Sequence, residues 1–284
     1  MIKQAIIPLA GLGTRLLPLT SVFAKELLPI NGKPGLEYIL EECIDAGIKE
    51  IIFIISKRKM MIKKYFYNDK FYKELIKKKK DTRVIEEYKK ILKYRKMIKF
   101  VYQNKPKGTG DAVLKTKKYI KDKYFLMLLP DDLIIKKNCS KSMIACHRKY
   151  KASVMASMSV NKKSVERWGI YKLTKKFDKT DYLIDSVVEK PNTKDAPSNK
   201  AVIGRYILSN KIFSKLKNLK PSKGGEIHIT DAIQLLINDN EKFISHNFSG
   251  KYLDCGSMEG YINSSKEIAK LWNFVWLALV MWVW

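Results

Sequence analysis

Leu9-Ala10-Gly11-Leu12-Gly13-Thr14-Arg15, followed by Lys25-Glu26-Leu27-Leu28-Pro29, places two glycines and two cations after a short apolar run, Ala5 to Leu9. Glycines at a strand end let the backbone turn sharply and approach a ligand without Cβ interference. Their N–H groups then favour an anion above the strand. Arg15 and Lys25 add fixed positive charge, the arrangement that a phosphate site needs when charge grows during a reaction. A lone G-x-G can also be an ordinary turn. The dinucleotide fingerprint G-x-G-x-x-G fails because Leu16 takes the third glycine's place. The next strand ends in Ser56-Lys57, with no acid to hold a ribose. There is no G-x-x-x-x-G-K-[ST] loop.

A second chemical group is Asp131, after Leu129-Pro130 and before Asp132. A carboxylate at a strand end suits a hard cation such as Mg²⁺, which takes one or two carboxylates plus phosphate oxygens. Many such aspartates only form turns. The three histidines, His147, His228 and His246, are scattered and suggest no nucleophile–base pair.

The elements that must position these groups alternate. Leu36, Ile39, Leu40, Cys43 and Ile44 predict an amphipathic helix stopped by Gly47. Glu50–Ile55, 97–102 and 124–129 read as buried strands. Strands separated by helices predict an α/β fold, a Rossmann-like, mostly parallel central sheet with helices on both faces. Ligands then bind beyond the carboxyl ends of the strands, where the glycine loop, Gln103 and Asp131 all lie. The lysine-rich stretch 57–99 predicts two or three helices, either a solvated face or a flap. Residues 152–160, 182–188 and 201–208 read as later strands of the same sheet, and 227–237 as a helix.

The net charge of +28 invites a nucleic-acid reading. Only seven of the 56 basic residues are arginine, and the lysines are spread along the chain, which fits solvation of many surfaces better than one groove. No specific nucleic-acid partner is expected. Four separated cysteines without C-x-x-C spacing argue against zinc and for reduced thiols in a cytoplasmic protein. Leu271–Trp284 is uncharged and holds four of the five tryptophans. Fourteen residues fall short of the roughly 20 needed to span a bilayer. A helix packed on the body, or a frameshifted or truncated end, is favoured over membrane attachment.

Further motifs follow in one order: Gln103 with Gly108-Thr109-Gly110-Asp111-Ala112, Leu129-Pro130-Asp131-Asp132, Trp168-Gly169-Ile170-Tyr171, Val188-Glu189-Lys190-Pro191, 201–206, 225–232 and Asp254-Cys255-Gly256. From about residue 2 to about 268 the chain resembles the sugar 1-phosphate nucleotidyltransferases, and most of all their uridylyl-transferring branch. The resemblance implies that UTP and glucose 1-phosphate give UDP-glucose and pyrophosphate with Mg²⁺ as cofactor. It implies a homo-oligomer, dimer or tetramer. A single domain over 1–270 would have a nucleotide half to about 135 and a sugar half beyond. By the same resemblance Leu9, Ala10, Gly11 and Gly13 cradle the nucleotide, Arg15 meets the pyrophosphate, and Lys25 neutralises the α-phosphate region. Gln103, whose amide can donate and accept at once, and Gly108 read the base. Gly169 and Glu189 face the sugar, and Lys190 pairs with its phosphate. Asp131 holds the metal, with Asp254 as second ligand. Such a transfer needs no general base, since the attacking phosphate oxygen is already ionised; positioning and electrostatics carry it. Thr109 and Asp111 stand where the family usually has Leu and His, near the base. Thymidylyl transfer and an inactive nucleotide-sugar binder are the alternatives. The thymidylyl enzymes carry a serine inside the glycine loop that this chain lacks.

Overall fold

The computed structural model of the chain describes residues 1–222 and 225–281, without the side chains of 272–281. In chain order the strands and helices are β1 (Gln4–Pro8), β2 (Pro29–Ile30), β3 (Lys33–Pro34), α1 (Gly35–Asp45), β4 (Glu50–Ile55), α2 (Met60–Tyr67), α3 (Asp69–Lys79), α4 (Thr82–Met97) and β5 (Ile98–Tyr102). Then come α5 (Gly108–Leu114), β6 (Tyr124–Leu128), β7 (Asp132–Ile135), α6 (Cys139–Tyr150), β8 (Ser153–Ser159), β9 (Gly169–Lys176), β10 (Asp181–Glu189) and β11 (Lys200–Ser209). The chain continues through α7 (Ile212–Asn218), α8 (Ile229–Asn238), β12 (Phe243–Asn247), β13 (Lys251–Asp254) and α9 (Met258–Met281).

Nine strands form one sheet in the order β5-β4-β1-β6-β11-β8-β12-β10-β9, so the expected halves share a single sheet. Strands buried on both faces read as unbroken apolar runs, and β1 and β4 do so. Ile7, Ile51, Phe53 and Ile55 pack with α1, α2, α4 and α6 on one face. Ile6, Ile52 and Ile54 pack with α5, α7 and α8 on the other. Cys43 is fully buried, as its place on the apolar face of α1 predicts.

The α/β class and the helices on both faces are as expected. The parallel order holds for β5, β4, β1 and β6. Beyond them the sheet is mixed. β11 runs antiparallel to both β6 and β8, and β10 antiparallel to β12 and β9. The β10–β9 pairing shifts register at Leu183/Ile184 and again at Ile184/Ser186, with one extra residue on each strand in turn. Three helices, α2 to α4, fill the lysine-rich stretch. Among the described residues no helix is long and apolar enough to cross a membrane. The role expected of 271–284 rests on side chains that, apart from Leu271, lie outside the described residues.

Candidate active site

The chain leaves β1 with the Leu9 amide still bonded to Ile54 O at 2.7 Å, then turns at Gly13, whose φ is +72°. A Cβ at Gly13 would lie 3.0 Å from Thr20 Cγ2 and 3.5 Å from Lys25 Cδ, so the residue is glycine both for its dihedral and for its packing. At Gly11 a Cβ would meet nothing within 4 Å, which leaves open space over the loop. Leu9 and Ala10 are buried beneath it, and Arg15 is exposed on the short turn that follows.

Lys25 and Glu26 point in different directions. Glu26 is buried against Lys59, with Nζ at 2.6 and 2.8 Å from its two carboxylate oxygens. Lys25 reaches the other way, and its Nζ lies 2.6 Å from Asp131 Oδ2. Burial alone would lower the Lys25 ammonium, but Asp131 and Glu26 outweigh it and raise it above its ordinary value. Burial pushes the Asp131 carboxyl up, yet Lys25, by charge and hydrogen bond, and Arg15 hold it below the usual range. Arg15, Lys25 and Asp131, distant in sequence, therefore share one electrostatic field.

Asp132 is occupied differently. It accepts from the Gly204 amide at 2.7 Å and the Tyr252 hydroxyl at 2.8 Å. Burial, reinforced by the charge of Asp131, pushes it up to about 6. That division supports Asp131 over Asp132 as the carboxylate free for a ligand. Asp254 lies beside it. A Cβ built on Gly256 would stand 2.9 Å from Asp131 Oδ2 and 3.2 Å from Asp254 Oδ1, so a side chain there would fill the gap that the two carboxylates border. Asp254 Oδ1 already accepts from the Gly256 amide at 2.7 Å; as a donor set, two neighbouring carboxylates are of the hard-oxygen kind that suits a divalent cation such as Mg²⁺.

The loop carrying these acids hangs on Arg205, a fully buried arginine on β11. Its guanidinium donates to the carbonyls of Leu129 at 3.1 Å and Asp132 at 2.6 Å, and clasps Glu42 of α1, with Nη2 to Oε2 at 2.8 Å. Glu42 in turn accepts from Ser140 Oγ at 2.5 Å. Sequence reasoning assigned neither residue; an arginine inside the apolar run 201–208 was the signal available.

Gln103, expected to read the base, directly follows β5 and is 4% exposed. It lines a cavity of about 260 Å³ with Ala10, Leu12, Ser56, Arg58 and Asn104. Ser56 Oγ is buried there with no partner among the described residues. Gln103 is expected to offer a ligand both a donor and an acceptor, but its amide nitrogen bonds inward to Gly108 O and Asp111 Oδ2. Gly108 has φ +89°, and a Cβ there would meet Ile227 O at 2.5 Å, so protein packing already demands this glycine. The Ile227 segment, which precedes α8, is stitched to the loop by Gly110 N to Ile227 O at 2.7 Å and Ile227 N to Lys107 O at 2.8 Å.

Gly169 and Glu189, expected to face the sugar, are paired across β9 and β10, and a Cβ on Gly169 would stand 3.0 Å from Glu189 Oε2. Lys190 is exposed with φ +46°, and its amide donates to Trp168 O at 3.0 Å. No ion pair of the described residues joins Lys190 to Asp131. The two are linked indirectly, through the edge-on contact of Trp168 with Tyr252, ring centroids 5.5 Å apart, and the Tyr252–Asp132 hydrogen bond. A separate group, Cys146, Asp181 and His246, has ligand atoms within 4.8 Å of one another. Both nitrogens of its imidazole are already engaged, by Asp181 at 2.6 Å and by Ser142 at 3.1 Å.

The family described as nucleotidyl transferase matches residues 4–270. UTP–glucose-1-phosphate uridylyltransferase 2 of Streptococcus pyogenes is 37% identical, over 94% of this chain and 90% of its own. A solved UDP-glucose pyrophosphorylase complexed with UDP-glucose superposes with a TM-score of 0.82 at 37% identity, covering 95% of this chain and 99% of that one. UTP-bound UGPase from Acinetobacter baumannii superposes with a TM-score of 0.87 at 32% identity, covering 98% and 99%.

Proposed function

The chain belongs to the nucleotidyl transferase family, and we propose that within it the protein transfers a uridylyl group from UTP to glucose 1-phosphate, releasing pyrophosphate. The observation that carries this reading is the Lys25–Asp131 pair, 2.6 Å apart at the foot of the glycine loop and beside Asp254. The names of the relatives and solved structures given above supply the nucleotide and the sugar.

The chemistry is attack by an ionised sugar-phosphate oxygen on the α-phosphorus, so the obstacles are anion repulsion and charge on the leaving group. The loop from Leu9 to Gly13 cradles the nucleotide, with backbone amides facing the phosphates over the open space at Gly11. Arg15 draws the leaving pyrophosphate. Lys25 stabilises charge at the α-phosphate, and its pairing with Asp131 keeps it protonated until the substrate arrives. Asp131 and Asp254 would hold Mg²⁺, which when bound supplies Lewis-acid neutralisation of the phosphate oxygens. Glu189 accepts from the sugar hydroxyls over the bare backbone of Gly169, and Lys190 pairs with the sugar's phosphate. Gln103 and the Gly108 loop read the base. The nucleotide half ends near residue 135 and the sugar half follows, in one domain. All four cysteines are free, which fits a reducing, cytoplasmic setting, and a dimer or tetramer is the assembly proposed.

The test is pyrophosphate release from glucose 1-phosphate with UTP and dTTP side by side, with and without a chelator. UTP is expected to be preferred and the chelator to abolish turnover. A clear preference for dTTP overturns the uridylyl reading. Binding of UDP-glucose without turnover of either nucleotide leaves a nucleotide-sugar binder.

A further inference from the structure

The side-chain amide nitrogen of Gln103 has two hydrogens, and both are taken. Gly108 O accepts at 3.0 Å and Asp111 Oδ2 at 2.7 Å. A backbone carbonyl and an ionised carboxylate can only accept. A flipped amide would turn its oxygen onto two acceptors and leave its own hydrogens without those partners, at a cost that buried groups do not escape. Lys115, just beyond the end of α5, pairs with the other oxygen of the same carboxylate, 3.5 Å from Asp111 Oδ1. What remains for a ligand in the cavity beside Gln103 is the carbonyl oxygen, for which no protein donor is found among the described residues.

We infer that Asp111 is a specificity-determining positioning residue: it pins the Gln103 amide with its oxygen toward the cavity, so that the site takes a pyrimidine with an N3–H donor and rejects one whose N3 is a lone pair. The inference rests on the uridylyl-transfer reading and gives its nucleotide choice a physical cause. Uracil offers N3–H to the carbonyl. Cytosine would set an acceptor against an acceptor, and a site built for a hydrogen bond rejects a ligand that cannot make it. Asp111 does this without touching the base, acting through the amide it orients.

The test is steady-state turnover of UTP, CTP and N3-methyl-UTP with glucose 1-phosphate by the wild type and by Asp111→Asn. Asparagine keeps the shape but can donate to Gln103, so the amide is freed to turn while Gly108 O still favours the original orientation. The ratio of kcat/KM for UTP over CTP is expected to fall about tenfold or more in Asp111→Asn. The change should lie mainly in KM, rising for UTP and falling for CTP. The wild type is expected to lose at least about tenfold on N3-methyl-UTP relative to UTP. An unchanged UTP-to-CTP ratio in a variant that still turns over UTP overturns the role of Asp111. If Asp111→Asn does not fold, the wild type decides: equal use of UTP and CTP, or of UTP and N3-methyl-UTP, overturns the inference. A wild type inactive with UTP overturns the uridylyl reading itself.

Discussion

Lys25 stands 15% exposed and Asp131 29% exposed, so their ion pair is partly open to water and to an incoming phosphate. Lys25→Ala removes the cation from the place where the α-phosphate is proposed to sit. Turnover should fall more than tenfold, by analogy with the roughly hundredfold loss on deleting one transition-state donor, while UDP-glucose binding stays measurable by calorimetry. An unchanged rate would remove Lys25 from the mechanism. Arg15, Lys25 and Asp131 were legible in the sequence because glycine spacing and a strand-end carboxylate carry chemistry by type alone. The inward bonds of Gln103 were not. Which half of an amide is free depends on two acceptors, at Gly108 and Asp111, and nothing in the sequence alone marks which atoms they engage.

β11 is the element on which the acidic loop depends. Its Gly204 packs so closely that an added Cβ would lie 2.5 Å from Asp132 Oδ2 and 2.6 Å from Leu129 Cβ. Gly204→Ala must therefore displace the turn carrying Asp131. A shift of about 1 Å at reacting groups can cost on the order of a hundredfold in rate. The variant is expected to lose at least tenfold in kcat while still melting cooperatively, checked by turnover and thermal unfolding together. Full activity would show that the turn's place is not critical. Arg205 serves the same turn, and truncating it would strand the Glu42 carboxylate, a change that typically costs about 3–5 kcal/mol. Strand positions and most helices were readable from apolar runs and 3.6-residue spacing. Strand direction was not: 201–208 has the same apolar character in either orientation, so the antiparallel placement of β11 could not be seen. The register shifts between β10 and β9 were equally hidden.

Across the whole molecule a net charge of +28 works against compactness, because like charges repel more in the folded volume than in the extended chain. The Debye length shortens from about 30 Å at 0.01 M salt to about 8 Å at 0.15 M. The melting temperature of the ligand-free protein should therefore rise over that range, as calorimetry can check. A flat or falling trend would mean that the lysines are locally balanced. The composition disclosed this charge; the packing together of segments about 120 residues apart was beyond it. The strip at Ile227, about 120 residues further along the chain, is hydrogen-bonded by backbone to Lys107 and Gly110. The loop proposed to read the base is therefore not a transplantable cassette. A chimera given another enzyme's 103–111 loop, but keeping its own residues around 227, would set a foreign loop against Ile227, where not even one methyl group has room at position 108. Both stretches would have to be exchanged together.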